Sequence, residues 1–490
     1  MVRAPRAAVQ PDRPARLEVP LRFSDLLVAL ELISRHDVDH ALERQSRTGR
    51  PLGEVVVEMG LLSAHQVREL QEGLPAPPDT LAQLGIDSRI VFDMLVKFLS
   101  NAGHGTTASI AETLAISRRL SAALIEQARA QGIVELKPGI VAGELRVELT
   151  PRGRSMAVDA FSANAYIGPL PVSLEEYSAR VLRQSIRSET ITAAAVAQAM
   201  QPLMVEEELL AKVGIAINAG RSILLYGAAG NGKTSIAERM VRTFGAMVLI
   251  PHCFEVAGQI VKVYDPAVHK RLGVAPGRKS TASLFADEFD PRWVPCRRPF
   301  VAAGGELSLD MLDLKFEETS RFYEAPLHVK AMNGVLLIDD FGRQLVRPEA
   351  LLNRWVVPMD RRIDFLKLHT GQSFQIPFDQ LLVFSTNLSP SDLMDPAFLR
   401  RLPYKIHVHG PTVEEFAKLL LLQAARRGVE FPERAVVQVI EEIRQHGTPL
   451  AYYQAAEIPE QIADFCAFLG RPPVADDTTI RFALGNMLVD

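Results

Sequence analysis

The chain has 490 residues, of which 48% are hydrophobic and 23% are charged, and its formal net charge is −4. At roughly 150 residues per domain this length predicts about three domains, and the apolar content excludes a chain that is disordered throughout. The near-neutral charge argues against a protein whose main task is to wrap nucleic acid. Three scattered cysteines, no apolar run of membrane-spanning length and no secretory signal predict a cytoplasmic protein without a disulfide framework or a membrane span.

The first part of the chain combines a tail and an internal repeat. Residues 1–20 are rich in arginine and proline and are predicted to be flexible, whereas residues 21–74 repeat an apolar pattern at an offset of 29 residues. Each copy predicts a helix, a turn and a second helix that begins after Ser34 or Ser63, because serine is a favourable N-cap. The repeat therefore predicts two stacked helical hairpins.

The next segments predict a second small domain. Residues 75–83 are rich in proline and are predicted to be a linker. Residues 84–160 contain three helical patterns and then two short β-like runs, which is the order of a winged helix. Residues 161–200 are predicted to be a linker and a lead-in helix. The remainder of the chain alternates strand and helix patterns, as a nucleotide-binding α/β domain does.

A glycine-rich string fits the phosphate-loop pattern GxxxxGK[ST] between an apolar strand and a helix. It comprises Gly227, Ala228, Ala229, Gly230, Asn231, Gly232, Lys233, Thr234 and Ser235. Glycines allow successive backbone N–H groups to point at phosphate oxygens. Lys233 would contact the β- and γ-phosphates of ATP, and the Thr234 hydroxyl would bind Mg²⁺. The alternative is a purely structural glycine-rich turn.

A second acidic motif follows a buried apolar strand about one hundred residues later. Asp339 and Asp340 come directly after the run 334–338. Acidic residues at the carboxyl end of such a strand lie where ligands bind in parallel sheets. Asp339 is predicted to hold the Mg²⁺ shell, and Asp340 to act as general base toward the attacking water. Acids in this position can also simply end a strand.

Two further features complete the predicted catalytic set. Asn387 ends a third apolar strand and could orient the hydrolytic water, or it could be a turn residue. Arg400 and Arg401 follow a short helix and are candidates for an arginine finger that reaches the γ-phosphate of a neighbouring subunit, the alternative being a surface role. Thr412 and Glu415 form a capping box that opens a helical region.

This order of motifs resembles that of bacterial AAA+ ATPases that carry an N-terminal winged helix, over residues 84–475. The shared strings are 149–153, 166–169, 337–343, 351–355, 384–387 and 400–406. The resemblance implies a multidomain α/β protein with a small α-helical repeat domain, a winged helix, an AAA+ P-loop core (201–410) and a C-terminal helical lid (411–490). It also implies ATP and Mg²⁺ as ligands and a homo-oligomer with nucleotide between subunits.

Two departures from the AAA+ pattern predict slow hydrolysis. Ala456 stands where the lid of these proteins carries a sensor arginine. The second acid is Asp340 rather than a glutamate, so its carboxylate lies one methylene further back.

The N-terminal repeat resembles the N-terminal domain of type II secretion and type IV pilus assembly ATPases. Some members of that family bind cyclic di-GMP through an arginine, glycines and a glutamine, which here correspond to Arg22, Gly53 and Gln45. Ser24 and Glu31 replace glycines of the pattern, so protein docking is the stronger prediction for this block.

The winged-helix segment carries few basic residues at the two places where DNA contact is considered. Arg118 and Arg119 lie early in the third predicted helix, and Lys137 and Arg146 lie near the wing. Because phosphate contacts dominate DNA affinity, docking or subunit contact is favoured over DNA binding.

The insert 251–333 is long for a connection within one core and contains a predicted β-hairpin at 258–264. A substrate-gripping loop and a structural insert both fit this segment. For the whole chain two hypotheses remain. One is an ATPase that acts on an unidentified protein client, which could belong to a secretion or pilus assembly. The other is a regulatory or adaptor protein whose nucleotide site acts as an assembly switch.

Overall fold

The computed structural model describes residues 22–141, 144–272, 289–393 and 395–488, which form a multidomain α/β protein. The predicted tail, 1–20, lies outside these residues. None of the described helices is both long enough and apolar enough to cross a membrane.

Within residues 22–74, four short helices form an N-terminal block. They are α1 (Phe23–Ala29), α2 (Arg35–Thr48), α3 (Leu52–Glu58) and α4 (Ala64–Gly73). The side chains of Ser34 and Ser63 accept hydrogen bonds from backbone N–H groups in the first turns of α2 and α4, so both serines are N-caps as predicted. Equivalent positions of the two repeat copies, such as Leu27 and Val56, are buried in one small core.

The second block has three helices followed by an antiparallel strand pair and a further helix. The elements are α5 (Ser88–Ala102), α6 (Thr107–Leu114), α7 (Arg118–Ala130), β1 (Val134–Val141), β2 (Glu144–Leu149) and α8 (Pro151–Ala163). Val134 pairs with Leu149 across the two strands. The sequence predicted the three helices and the strand pair but not α8, which packs on α5.

The central part of the chain alternates strands and helices. Its elements are β3 (Val172–Ser173), α9 (Leu174–Arg183), α10 (Ala193–Met200), α11 (Glu207–Asn218), β4 (Ile223–Tyr226), α12 (Lys233–Met240), β5 (Val248–Pro251), β6 (Cys253–Val256), β7 (Gln259–Lys262), β8 (Trp293–Cys296), β9 (Phe300–Ala303), β10 (Lys315–Glu317), β11 (Phe322–Glu324), α13 (Leu327–Lys330), β12 (Val335–Ile338), α14 (Pro348–Arg361), β13 (Ile363–Lys367), β14 (Ser373–Pro377), β15 (Leu381–Thr386), α15 (Pro390–Leu393), α16 (Pro396–Leu399) and β16 (Tyr404–His407).

A parallel sheet of five described strands, in the order β16-β4-β15-β12-β9, organises this part. Its three inner strands β4, β12 and β15 are mostly apolar and buried because both of their faces are covered. Ile223 and Leu225 of β4 pack with residues of α10, α11 and α12 on one face. Leu224, between them, packs with α14 residues such as Trp355 on the other face. The carboxyl ends of β4, β12 and β15 therefore meet at one edge.

A second, mixed sheet has the order β10-β11-β7-β6-β3 among the described strands, and β5 with β8 and β13 with β14 form antiparallel pairs. In this sheet β6 and β7 form an antiparallel hairpin. The hairpin was predicted at 258–264, but only its second strand, β7, lies in that segment. Residues 273–288 of the same insert lie outside the described part of the chain.

The segment predicted as a linker and lead-in, 161–200, is not an open connection. The side chains of Leu170 and Val172 are completely buried. The Leu170 N–H donates a hydrogen bond to the Leu114 carbonyl at 2.8 Å, and β3 pairs with β6. The glycine and two prolines of 168–171 suggested a linker, but long-range packing buries this stretch.

Arg292 ties three parts of the molecule together. Its guanidinium is 1% exposed and donates to Asp290 Oδ2 at 2.7 Å. The same group donates to the carbonyl oxygens of Leu84 and Pro171 at 3.3 and 3.2 Å. A buried charge is tolerated because its hydrogen-bond donors are satisfied in this way. The contacts join the mixed sheet to the start of the second block.

The C-terminal part is helical. Within residues 411–488 its helices are α17 (Val413–Arg427), α18 (Glu433–Gln445), α19 (Tyr452–Phe468) and α20 (Asp477–Met487). Thr412 and Glu415 form the predicted capping box at the start of α17. The helices enclose an apolar core of their own.

Candidate functional site

The loop between β4 and α12 contains the glycine-rich string. Gly227, Gly230 and Gly232 have φ angles of 143°, 76° and 79°, a region that side chains with a Cβ disfavour. Gly232 is the N-cap of α12. Because the first N–H groups of a helix have no partner within the helix, the loop ends at a surface suited to an anion. Ala228, Ala229 and Ser235 of the string are exposed and Asn231 is buried.

Lys233 lies beneath this loop and is 7% exposed. Its Nζ donates hydrogen bonds to the carbonyl oxygens of Gly227 and Ala228 at 2.9 and 2.8 Å, and to Asn387 Oδ1 at 2.7 Å. Burial lowers the pKa of Lys233, while the two carboxylates that follow β12 act in the opposite direction. A bound anion would favour the charged ammonium further.

Two carboxylates follow β12 and face the same loop. Thr234 Oγ1 donates to Asp339 Oδ2 at 2.7 Å, although the two residues belong to different elements. Asp340 has a left-handed backbone, with φ of 49°, and its N–H donates to Asp339 Oδ1 at 3.0 Å. The chain therefore turns sharply at Asp340 and leaves both carboxylates at the edge of the sheet.

The oxygens of Thr234 and Asp339 suit a magnesium ion. Mg²⁺ prefers hard oxygen donors and usually takes few ligands from the protein, the remainder coming from water and phosphate. No group of three or more His, Cys, Asp or Glu side chains that could hold a metal occurs in the described residues. Thr234 and Asp339 would therefore hold Mg²⁺ together with a phosphate-bearing ligand rather than alone.

Asn387, at the end of β15, lies between Lys233 and Asp340 and contacts both. Its Oδ1 accepts from Lys233, and its Nδ2 lies 3.5 Å from Asp340 Oδ1. Lys233, Thr234, Asp339, Asp340 and Asn387 are thus neighbours in space, as the sequence motifs predicted.

The C-terminal helices reach the loop through Tyr453, a contact that sequence reasoning missed. The Tyr453 N–H donates to the Gly230 carbonyl at 3.1 Å. A Cβ placed on Gly230 would lie 2.2 Å from the Tyr453 ring. Ala456, the residue compared with the sensor arginine, lies three positions further along α19. The sequence signal that could have indicated this contact is the pair of tyrosines, Tyr452 and Tyr453, at the start of α19.

A second missed feature is an aromatic group beside the loop. The Tyr226 and His407 rings stack with centroids 4.8 Å apart, and the His407 and His409 rings meet edge to face at 4.0 Å. Burial and then the charges of His409 and Lys212 lower the pKa of His407. Local sequence did not indicate this group, because it forms only when β16 lies beside β4.

Arg400 and Arg401 lie at the opposite end of the sheet. They line a cavity with Arg221 and Ser222, which precede β4. Ser222 Oγ donates to the Arg401 carbonyl at 3.0 Å. Because the phosphate loop follows the other end of β4, these arginines do not join the cluster around Lys233.

The N-terminal residues compared with a cyclic di-GMP site have packing roles. Gln45 is 4% exposed. A Cβ on Gly53 would lie 2.8 Å from both Val67 Cγ1 and Gln71 Nε2, so this glycine permits close packing of α3 on α4. The geometry therefore offers no support for cyclic di-GMP at these positions.

Three of the four basic residues considered for DNA contact are paired with acids. Arg119, Lys137 and Arg146 lie 3.3, 2.9 and 2.6 Å from carboxylate oxygens of Asp79, Glu135 and Glu148. These ion pairs reduce the positive charge available for nucleic acid.

Comparisons with known proteins are sparse. Residues 412–486, which span the C-terminal helices, match a family described as a domain of unknown function (DUF8689). No curated protein sequence matches the chain.

Solved structures give only weak likenesses. A Thermotoga maritima RuvB mutant is 14% identical with a TM-score of 0.35, over 59% of this chain and 73% of that chain. The Thermotoga maritima RuvB Holliday junction branch migration motor is 15% identical with a TM-score of 0.33, over 60% and 74%. NtrX from Brucella abortus is 12% identical with a TM-score of 0.39, over 68% and 66%.

Two glycines of the loop provide a matched test of its geometry. A Cβ on Gly227 would lie 2.3 Å from the Val408 carbonyl oxygen, whereas nothing lies within 4 Å of one on Gly232. We expect Gly232→Ala to cost about 1 kcal/mol of stability from backbone strain, and Gly227→Ala to cost roughly 3 kcal/mol or more. Urea unfolding followed by tryptophan fluorescence measures both, since Trp355 is buried against the parallel sheet. Equal losses of unfolding free energy in the two variants would contradict the predicted steric clash at Gly227.

Proposed function

We propose that the chain is an AAA+ ATPase that binds Mg²⁺ and ATP at the phosphate loop and hydrolyses ATP to ADP and phosphate between copies of itself. We infer that it uses this energy to remodel or assemble a protein partner. The proposal rests on one observation. Lys233 and Thr234 begin α12 and contact two residues that directly follow strands. Lys233 contacts Asn387 after β15, and Thr234 contacts Asp339 after β12, at 2.7 Å each.

The triphosphate would be held by groups that are already in place. Lys233 is buried and positioned by two loop carbonyls, so little side-chain entropy is lost when it binds phosphate oxygens. Backbone N–H groups of the loop and of the first turn of α12 supply further donors. Thr234 and Asp339 would hold Mg²⁺, which neutralises charge on the β- and γ-phosphates.

Hydrolysis would use the two remaining side chains. Asp340 accepts a proton from the attacking water, and Asn387 orients that water. Asn387 also contacts Lys233, so it couples the position of the water to that of the phosphate-binding ammonium.

The site is complete only with a second copy. Arg400 and Arg401 lie at the end of the sheet away from the loop, so one of them would contact the γ-phosphate of a neighbouring copy rather than that of its own copy. This arrangement supports an oligomer with nucleotide at the subunit interface.

Substitutions in the cluster should separate binding from turnover. We expect Lys233→Ala to abolish ATP binding and hydrolysis, because the phosphates lose their buried cation. Asp340→Asn should keep binding and lower turnover about 100-fold or more, since it removes the general base. Calorimetry with ATP and steady-state phosphate release measure the two effects.

Lys418→Ala, on an exposed position of α17, is the control and should leave both quantities unchanged. Hydrolysis that persists in Lys233→Ala would contradict the assigned site.

Arg400→Ala and Arg401→Ala should differ in their effects. Loss of the arginine that contacts the neighbouring γ-phosphate is expected to lower turnover by about 10³-fold, the usual contribution of an arginine finger. The other substitution should have a much smaller effect. Turnover of each variant, measured at protein concentrations that span assembly, identifies the finger. Wild-type rates for both variants would contradict the proposed role.

A regulatory switch with little turnover is the second candidate. The lid presents the Tyr453 ring to Gly230, and Ala456 supplies no positive charge where related lids carry an arginine. ATP-dependent assembly, measured by sedimentation, should then occur without phosphate release in a single turnover. Phosphate release during a single turnover would favour the ATPase proposal over the regulatory switch.

A further inference from the structure

A cavity of about 340 Å³ at the amino-terminal ends of β4 and β16 is lined by arginines. Arg400 and Arg401 belong to the proposed finger segment, but Arg221 and Arg362 come from elsewhere in the chain. No sequence motif singled out either of these two residues. A carboxylate, that of Asp360, also lines the cavity.

The fold brings these side chains together from three parts of the chain. Arg221 directly precedes β4, and Arg362 follows the end of α14 in a left-handed conformation with φ of 62°. Arg362 Nη2 donates to the Gly220 carbonyl at 3.0 Å, and Arg187 Nη2 donates to the same oxygen at 2.8 Å. A backbone oxygen beside the cavity thus holds two guanidinium groups close together.

The cavity has an electrostatic cost that an anion would remove. Burial, followed by the charges of Arg187 and Arg221, lowers the pKa of Arg362 to about 10. Arg362 stays charged at neutral pH, so the like charges remain close to one another. A polyphosphate offers several oxygens to a set of guanidinium forks, which is the geometry that arginine binds best.

The phosphate loop of the same copy cannot supply that anion. Arg221 and Gly227 lie before and after β4, and six residues of extended chain span about 20 Å. The anion must therefore be free in solution or bound to another copy.

We propose that Arg221 and Arg362 are phosphate-contacting residues that act in trans, binding the triphosphate of ATP held in the loop of a neighbouring copy. The proposal rests on the proposed function, because it requires ATP between copies. It extends the single-finger scheme to a pocket of arginines that recognises the phosphate chain as a whole.

Turnover of full-length variants tests the residues. Arg362→Gln is expected to lower ATP turnover about tenfold or more, since it removes a charged hydrogen-bond donor from the phosphates. Arg362→Lys should restore part of the loss. Arg361→Gln, the adjacent exposed arginine outside the cavity, is the matched control and should behave like wild type. Equal rates for Arg362→Gln and Arg361→Gln would overturn the proposal while leaving the phosphate-loop assignment intact.

Mixing two impaired variants identifies the source of the phosphate. Arg362→Gln keeps an intact loop, and Lys233→Ala keeps an intact arginine cavity. The mixture should turn over ATP faster than the residual rate of Arg362→Gln alone, because a loop of the first variant then faces a cavity of the second. No recovery in the mixture, with both variants folded by thermal melting, would overturn action in trans.

A binding measurement distinguishes failure of this proposal from failure of the proposed ATPase function. Tripolyphosphate titrated into Lys233→Ala should bind by calorimetry, and the added pair Arg221→Gln and Arg362→Gln should abolish that binding. If wild type hydrolyses no ATP but this arginine-dependent binding occurs, the ATPase proposal and the trans assignment fail, and the cavity is a site for free polyphosphate. Binding that is unchanged by the added pair would overturn the cavity as a phosphate site.

Discussion

The parallel register of β4, β12 and β15 is the constraint on which the candidate site depends. Carboxyl ends of parallel strands lie at the same edge of a sheet, so Asp339 and Asn387 reach the loop that follows β4. Lys233 and Asn387 are 154 positions apart in sequence and are joined by a 2.7 Å hydrogen bond. Any slip of this register would separate the cation from the carboxylates, since a shift by one residue reverses the faces of every side chain.

The same strands also divide the chemistry between two ends of the sheet. Phosphate-binding and acidic groups gather at the carboxyl edge, while Arg221, Arg362, Arg400 and Arg401 gather at the amino edge. Charges that would neutralise one another in a single cluster are kept apart by the length of β4. Under the proposed function, one edge of the sheet would hold a triphosphate and the opposite edge would contact the triphosphate of a neighbouring copy, which requires head-to-tail contacts between copies.

Local signals in the sequence located many elements because their causes are local. Serine N-caps at Ser34 and Ser63, the capping box of α17 and the glycine-rich loop each depend on residues a few positions apart. Within segment 161–200 the predicted lead-in helix forms as α9, but the packing of the stretch before it has no local cause. Residues 168–171 have the glycine and prolines of a linker, yet the neighbouring Val172 is buried and pairs with a strand about eighty residues away.

The sequence by itself determined which short motifs are candidates for the site: the glycine-rich loop, the acidic strand end and the asparagine at the end of β15. Each is a short motif whose residue types suit only a few chemistries. Only the tertiary structure decided which distant groups lie beside these motifs and which lie at the opposite end of the sheet. The Tyr226–His407 stack and the place of Arg362 in the arginine cavity carry no local signature. Their positions follow from strand order and from helix packing against the sheet, and these depend on the whole core rather than on neighbouring residues.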